Sequence, residues 1–416
     1  MGHRYPHLTT AQSMSTTTPP ILSQLALGYS PIIDRQRGVL GYRLTVCPSL
    51  PDAALDPLAL LGELATVWPA LETPPGNVAL APGTVALNVV GEAFLRAMVD
   101  AQPAAPFAVE VPAFMLAEAD FAAAVQRAHA AGVVLWIKGS APGDLPADLQ
   151  SCFRVAMFES GAPAPTVRGA RWATVAAQVR TLAEIDSAAK LGAIAVTGWP
   201  LEDPVLAAVG RTKVAADLQV IVELINRVDR EEPLDRLEAT LKGDPTLAFR
   251  LMRYLNSAAF GLRVEISSFR HALMMLGYQK LKRWLALLLA SASKDVNVKP
   301  VLFAAVRRGL IMEELARSSG DAELRGEMFI CGVFSLLDRL LKQPFDELLR
   351  SVPVPERVLQ ALGSREGSFV PYLDLVRAIE LGSSYEVAEL AEQLMLAPSE
   401  INRALLAALK AAGELD

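Results

Sequence analysis

Histidine and cysteine are what this sequence has least of: four histidines and three cysteines in 416 residues. His3 and His7 stand near the start, which leaves His129 and His271 for the rest of the chain. A histidine-rich zinc or iron centre cannot be assembled from two such residues. Cys47, Cys152 and Cys331 are far apart and form no C-x-x-C pair, which argues against structural zinc and against a disulfide framework. The cytoplasm is the expected address, and no cofactor is expected. No apolar run approaches the roughly 20 residues a membrane span needs. Trp284 to Ala290 and Phe329 to Leu337 are short and have charges nearby. The net charge of -6 gives no electrostatic reason to expect nucleic acid or an anionic membrane as a general partner. Residues 1–20 lack the apolar core of a secretory signal and read as a disordered tail, within which Met14 is an alternative start.

What is present divides into two textures. Residues 1–200 carry 12 basic and 15 acidic groups, and residues 201–416 carry 27 and 30. The break falls near Gly198-Trp199-Pro200-Leu201, where Gly and Pro interrupt the pattern. Before it, Val85 to Val90, Phe107 to Val111, Gly132 to Ile137 and Ala193 to Val196 read as buried strands. Leu116 to Ala131 and Leu182 to Leu191 read as the helices between them. This alternation predicts a parallel sheet or a (β/α) barrel. After the break no strand is evident. Val214 to Val228 carries a stripe through Leu218, Ile221, Leu224, Ile225 and Val228, and Leu234, Leu237 and Leu241 form the next.

The first half resembles an EAL domain, the barrel that hydrolyses cyclic di-GMP. Tyr29-Ser30-Pro31-Ile32-Ile33-Asp34 and Val39-Leu40-Gly41-Tyr42-Arg43-Leu44 resemble the opening hairpin and motif strand. The resemblance places Arg43 where an active enzyme has a metal-binding Glu. Asn88, in Ala86-Leu87-Asn88-Val89, and Glu110, in Phe107-Ala108-Val109-Glu110-Val111, match a metal-binding Asn and Glu. The two metal-binding Asp are replaced by Lys138 and Gly139, the catalytic Lys by Met157, and a later acid by Ala177. Two-metal phosphodiester hydrolysis needs clustered carboxylates and a base for water, and cations at those positions repel Mg²⁺. No phosphodiesterase activity is expected. Arg43 and Lys138 have two readings: an anion pocket gripping a phosphate, or a neutralised relic site in which they pair with Glu110 or project into solvent. About 175 residues carry the resemblance, so the barrel is expected to be incomplete or modified.

From Gly243 to Trp284, an acidic-Pro helix start is followed by Asn256-Ser257-Ala258 and an Ala-x-x-x-Leu-Gly run ending at Gly277. This stretch resembles the HDOD domain, a helical relative of the HD-type phosphohydrolases used in bacterial signalling, which generally lacks their metal ligands. Glu327 to Asp338 resembles the helix that bears the His-Asp pair in catalytic HD domains, and the pair falls here at Ser335-Leu336. Asp338 reads as a surface or capping acid. A degenerate EAL domain followed by an HDOD domain is a known family of bacterial signalling proteins.

The expected organisation is therefore a tail over 1–20, a degenerate EAL-like domain over 21–203 and an all-helical HDOD-like domain over 204–416. The resemblance implies a non-catalytic signalling scaffold that works through contacts with other signalling proteins, of unknown identity, in or near cyclic di-GMP signalling. The alternative is a cyclic di-GMP receptor without hydrolase activity, its relic site at Arg43, Asn88, Glu110 and Lys138. A residual phosphohydrolase is a poorer reading without His and Asp at the helical site.

Eight basic groups between Lys242 and Arg283 suggest a phosphate-binding face, but a solvated helical surface is the simpler reading. Tyr385 to Ala391 and Pro398 to Ala404 mimic a helix-turn-helix. Asn402, Arg403 and Lys410 lie there among Leu405, Leu406 and Leu409, which favours packing. Trp284 and Phe303 are expected to anchor helix packing. Nucleic acid and membrane are not expected partners, and the oligomeric state is left open.

Overall fold

The computed structural model describes residues 19–50, 54–69, 80–140, 145–162, 170–204, 296–342 and 355–413, with isolated positions between 224 and 278 and between 344 and 348. The stretch from Gly243 to Trp284 that carries the HDOD resemblance, with His271 and the basic run, lies outside the described residues except for Met274, Gly277 and Tyr278. Of the two expected helical stripes, Leu224, Val228 and Leu237 are described, and all three are buried.

Eight strands close into a barrel in sequence order. They are β1 (Leu25–Asp34), β2 (Val39–Pro48), β3 (Thr84–Val89), β4 (Phe107–Pro112), β5 (Val134–Lys138), β6 (Phe153–Glu159), β7 (Ala173–Val179) and β8 (Ala195–Gly198). β1 runs antiparallel to β2 and β8, and every other neighbouring pair is parallel. The barrel is thus modified but has its full circle of strands. The antiparallel start follows from a local turn: Asp34 Oδ1 accepts from the backbone N–H of Gln36 at 2.8 Å and of Gly38 at 2.7 Å. Arg37 within that turn takes a left-handed φ of 65°.

Helices α1 (Pro57–Ala65), α2 (Glu92–Asp100), α3 (Ala119–Ala130), α4 (Ala147–Ser151) and α5 (Leu182–Lys190) alternate with the strands. Local chemistry starts two of them. Asp56 accepts from Leu58 N–H ahead of Pro57, and Thr181 with Glu184 forms a reciprocal capping box.

Strand alternation sorts the barrel into two faces. Ala86, Ala108, Trp136, Val155, Val175 and Ala195 form a separate buried cluster, while Leu87, Val109 and Leu135 belong to the large core shared with the helices. Trp136 is fully buried in this inner cluster, and the alanines beside it make room for its ring.

The second part is helical: α6 (Val298–Leu315), α7 (Ala322–Phe334), α8 (Leu337–Leu341), α9 (Glu356–Leu359, continued by a π turn), α10 (Val370–Leu381), α11 (Ser384–Leu394) and α12 (Pro398–Gly413). α6 and α7 approach through two glycines. A Cβ on Gly332 would lie 2.6 Å from the Arg308 carbonyl oxygen, and one on Gly309 would lie 2.9 Å from that of Phe329.

The hairpin β1–β2 has no helix of its own between its strands, and helices of the second part cover it. α6, α10, α11 and α12 all contact β1 or β2. Asn402 on α12 is 2% exposed and serves as a peptide-like cap on the barrel chain. Its Oδ1 accepts from Leu27 N–H at 3.1 Å, and its Nδ2 donates to the carbonyls of Leu22 and Leu25, both at 2.8 Å. Arg403 and Lys410 of the same helix stay exposed, so the helix-turn-helix mimic is a packing device. Phe303 anchors helix packing as expected. It lies beside Tyr42 and Trp199, with the Arg307 guanidinium 3.2 Å from its ring centroid.

Candidate functional site

Six positions singled out in the sequence, Arg43, Asn88, Glu110, Lys138, Met157 and Ala177, sit on consecutive strands β2 to β7. All but the fully buried Glu110 line one cavity of about 760 Å³. Asn88, Glu110 and Lys138 lie two residues beyond Ala86, Ala108 and Trp136, one period further along the inward face. That puts them at the C-terminal end of the parallel strands, where (β/α) barrels build their sites.

Within this group the charges are satisfied by each other. Arg43 Nε donates to Glu110 Oε1 and one terminal nitrogen donates to Oε2, both at 2.7 Å. Lys138 Nζ donates to Asn88 Oδ1 at 2.5 Å and lies 3.9 Å from Glu110 Oε2. Asn88 Nδ2 in turn donates to Thr45 Oγ1 at 3.2 Å. The Glu110 side chain is fully buried, and that of Arg43 is 15% exposed. Burial works against the Arg43 charge, but the Glu110 carboxylate outweighs it and holds the guanidinium above its ordinary pKa. Burial pushes the Lys138 ammonium below its ordinary value, with Glu110 opposing and Arg43 adding to the shift.

Of the two sequence readings of Arg43 and Lys138, the geometry has the pairing with Glu110. A divalent cation does not fit this donor set: both Glu110 oxygens are taken by a guanidinium, and the Asn88 oxygen by an ammonium. Among the described residues no group of three or more His, Cys, Asp or Glu is placed to hold a metal ion.

A second cavity, of about 490 Å³, adjoins the first through Arg43 and Gln178. It lies between the barrel end and α10, lined on one side by Ser30, Thr45 and Thr197 and on the other by Arg308, Arg377 and Glu380. Sequence reasoning missed this wall, because nothing local in Arg308 or Glu380 shows that their helices meet at the barrel. The pair is buried and bidentate, with Arg308 Nε to Glu380 Oε1 at 2.8 Å and a terminal nitrogen to Oε2 at 2.7 Å. Trp199 Nε1 donates to the carbonyls of both Glu380, at 3.0 Å, and Tyr29, at 3.3 Å, so one ring ties α10 to β1.

The position expected for the His-Asp pair lies just past the end of α7. Ser335 Oγ donates to the Gly332 carbonyl at 2.7 Å and accepts from Arg308 at 3.1 Å, and Leu336 is buried. As in the barrel, an arginine reaches the place where the resemblance would put a metal. Asp338 is half-buried in the first turn of α8 and lines a third cavity.

Residues 215–342 match the family model of the HDOD domain. The chain carries an HDOD domain. Within the match the structure describes α6, α7 and α8, and the helices from α9 onward lie beyond it. Two curated relatives are similar to about half of the chain. The uncharacterized protein YuxH of Bacillus subtilis is 30% identical over 179 residues, covering 41% of this chain and 43% of that protein. The cyclic di-GMP phosphodiesterase CdgJ of Vibrio cholerae is 28% identical over 214 residues, covering 51% and 49%. The chain thus spans about half the length of the curated relatives it matches. Solved structures similar to part of the chain include a PaMucR phosphodiesterase in complex with cyclic di-GMP, at 21% identity, TM-score 0.30, and 44% and 96% coverage. Another is the Bacillus subtilis YkuI protein, with an EAL domain, in complex with cyclic di-GMP and calcium, at 12% identity, TM-score 0.30, and 62% and 72% coverage. Among the described residues, no helix is long and apolar enough to cross a membrane.

Proposed function

We propose that this chain is a non-catalytic cytoplasmic signal-transduction protein that acts through contacts with other signalling proteins in or near cyclic di-GMP signalling. The observation that carries the proposal is the Arg43–Glu110 pair. It occupies the carboxylate that a two-metal phosphodiesterase would need, and Lys138 occupies Asn88 in the same way. The name of the Vibrio cholerae relative connects the chain with cyclic di-GMP. The HDOD domain packed against the barrel gives a route by which an event at one part reaches the other. The decisive assay incubates the purified chain with cyclic di-GMP and Mg²⁺ or Mn²⁺. No linear product is expected. Turnover that scales with enzyme and with metal would overturn the proposal.

The open cavity of about 760 Å³ over Arg43, Asn88 and Lys138 supports the second reading, a cyclic di-GMP receptor without hydrolase activity. Calorimetric titration with cyclic di-GMP, with and without Mg²⁺, separates the two. Micromolar binding lost in Lys138→Ala makes the chain a receptor, and absence of heat leaves the scaffold.

A further inference from the structure

The third cavity, of about 320 Å³, lies where α7 gives way to α8, and its polar lining is Arg308, Ser335, Asp338, Arg339, Arg365 and Arg377. The rest of its wall is apolar. Glu380 neutralises Arg308 at 2.7 Å, and Asp374 is shared between Arg365 at 3.0 Å and Arg377 at 3.1 Å. The cluster therefore keeps an excess of one positive charge with Asp338 ionised, and of two with Asp338 neutral.

Donors remain available on three of these guanidinium groups. Arg339 spends one terminal nitrogen on the Asp203 carbonyl at 2.7 Å. Arg365 and Arg377 each spend one on Asp374, and the other guanidinium nitrogens of the three make no hydrogen bond among the described residues. Burial, then the charges of Arg308 and Arg365, pushes the Arg377 guanidinium below its ordinary pKa, a crowding that a bound anion relieves. Planar, bidentate arginine donors suit a phosphate group more closely than they suit a halide.

We infer that this cavity binds the phosphate group of a small organic phosphate monoester, held by Arg339, Arg365 and Arg377, with the carbon part on the apolar wall. The volume is at the low end of the roughly 300–1,000 Å³ of small-molecule sites, which suits a monoester better than a dinucleotide. The inference is independent of whether the barrel mouth holds a ligand.

The test is thermal unfolding of the full chain in rising phosphate, with sodium chloride adjusted to keep ionic strength constant. A saturable rise in Tm is expected, since a ligand that binds only the folded state stabilises it. Half-saturation should move up by on the order of tenfold in Arg365→Gln and in Arg339→Gln, each losing charge-assisted hydrogen bonds. It should move down in Asp338→Asn and stay in place in Arg96→Gln, a half-buried arginine on α2 that pairs with Glu92 and Glu118 and does not line this cavity. Arg365 is half-exposed, so its substitution leaves the core intact, and far-UV circular dichroism verifies the fold. Phenyl phosphate should saturate at a lower concentration than inorganic phosphate. A rise reproduced by chloride alone, or unchanged in both arginine variants, would overturn the inference. So would loss of the rise in Lys138→Gln with its retention in Arg365→Gln, which places the anion at the barrel mouth. Equal half-saturation by the two phosphates would remove the monoester.

Discussion

Arg43 on β2 closes two 2.7 Å hydrogen bonds on the fully buried carboxylate of Glu110 on β4, across the strand that separates them. The relationship is reciprocal. Glu110 has no exposure to water and needs a cation, while Arg43 keeps its charge against burial because Glu110 is there.

Arg43→Met should therefore destabilise the barrel by about 3–5 kcal/mol, because it strands a buried carboxylate. The double variant Arg43→Met/Glu110→Leu should recover most of that loss. Urea unfolding followed by tryptophan fluorescence checks both. A single variant as stable as the parent would show that Lys138, 3.9 Å from Glu110 Oε2, is enough to hold the buried charge.

Asn402→Leu should separate the C-terminal helix from the barrel without disturbing either locally. It removes three buried hydrogen bonds and leaves Leu27 N–H and two carbonyls without a partner. A cost of about 2–4 kcal/mol is expected, and the Leu27 amide should exchange hydrogen much faster while central barrel strands stay protected.

The contact between α6 and α7 leaves no room for a methyl group at Gly332. Gly332→Ala forces the helices apart and should cost about 1–3 kcal/mol in thermal unfolding, although alanine is the better helix former. An unchanged or raised Tm would mean the helices yield freely at this point.

Burial pushes the Asp338 carboxyl above its ordinary value. Between the ordinary and the raised pKa, the folded state holds a proton that the unfolded state has lost, so stability falls as pH rises through this window. Asp338→Asn should be more stable than the parent at neutral pH, and the difference should vanish below the ordinary carboxylate range. Thermal unfolding at pH 3 and pH 7.5 reads the sign directly.

The three cysteines should differ in reactivity. Burial pushes the Cys331 thiol up to about 12, and Cys152 is also buried and raised. Cys47 is raised as well but is partly exposed beside Ser384. Alkylation at pH 8 followed by mass spectrometry should label Cys47 first and Cys331 only after denaturation.

Several features were legible in the sequence because they are local. The alternation of strand and helix, the hairpin around Asp34 and the start of α5 each depend on residues a few positions apart. The EAL resemblance grouped Asn88, Glu110 and Lys138 as one relic site, and the strands of the barrel put them one period beyond the inward residues Ala86, Ala108 and Trp136. The resemblance implies metal ligands at the positions of Arg43 and Lys138, and neither side chain can hold a divalent cation.

Pairing with Glu110 was one of two open readings, and which of Arg43 and Lys138 closes on it was not legible. Arg43 is as far in sequence from Glu110 as many other candidates, and only the closure of eight strands brings the two within hydrogen-bonding distance. The same holds across the two parts of the chain. Asn402 had the residue type of a surface recognition contact, yet the missing helix of the β1–β2 hairpin leaves backbone groups that its amide satisfies. Arg308 and Glu380 are 72 residues apart, and the packing of α6 on α10 makes them a buried pair. Patterns of neighbours along the chain determined the elements. Pairings that depend on burial and on distance through space were decided only when barrel and helices packed together.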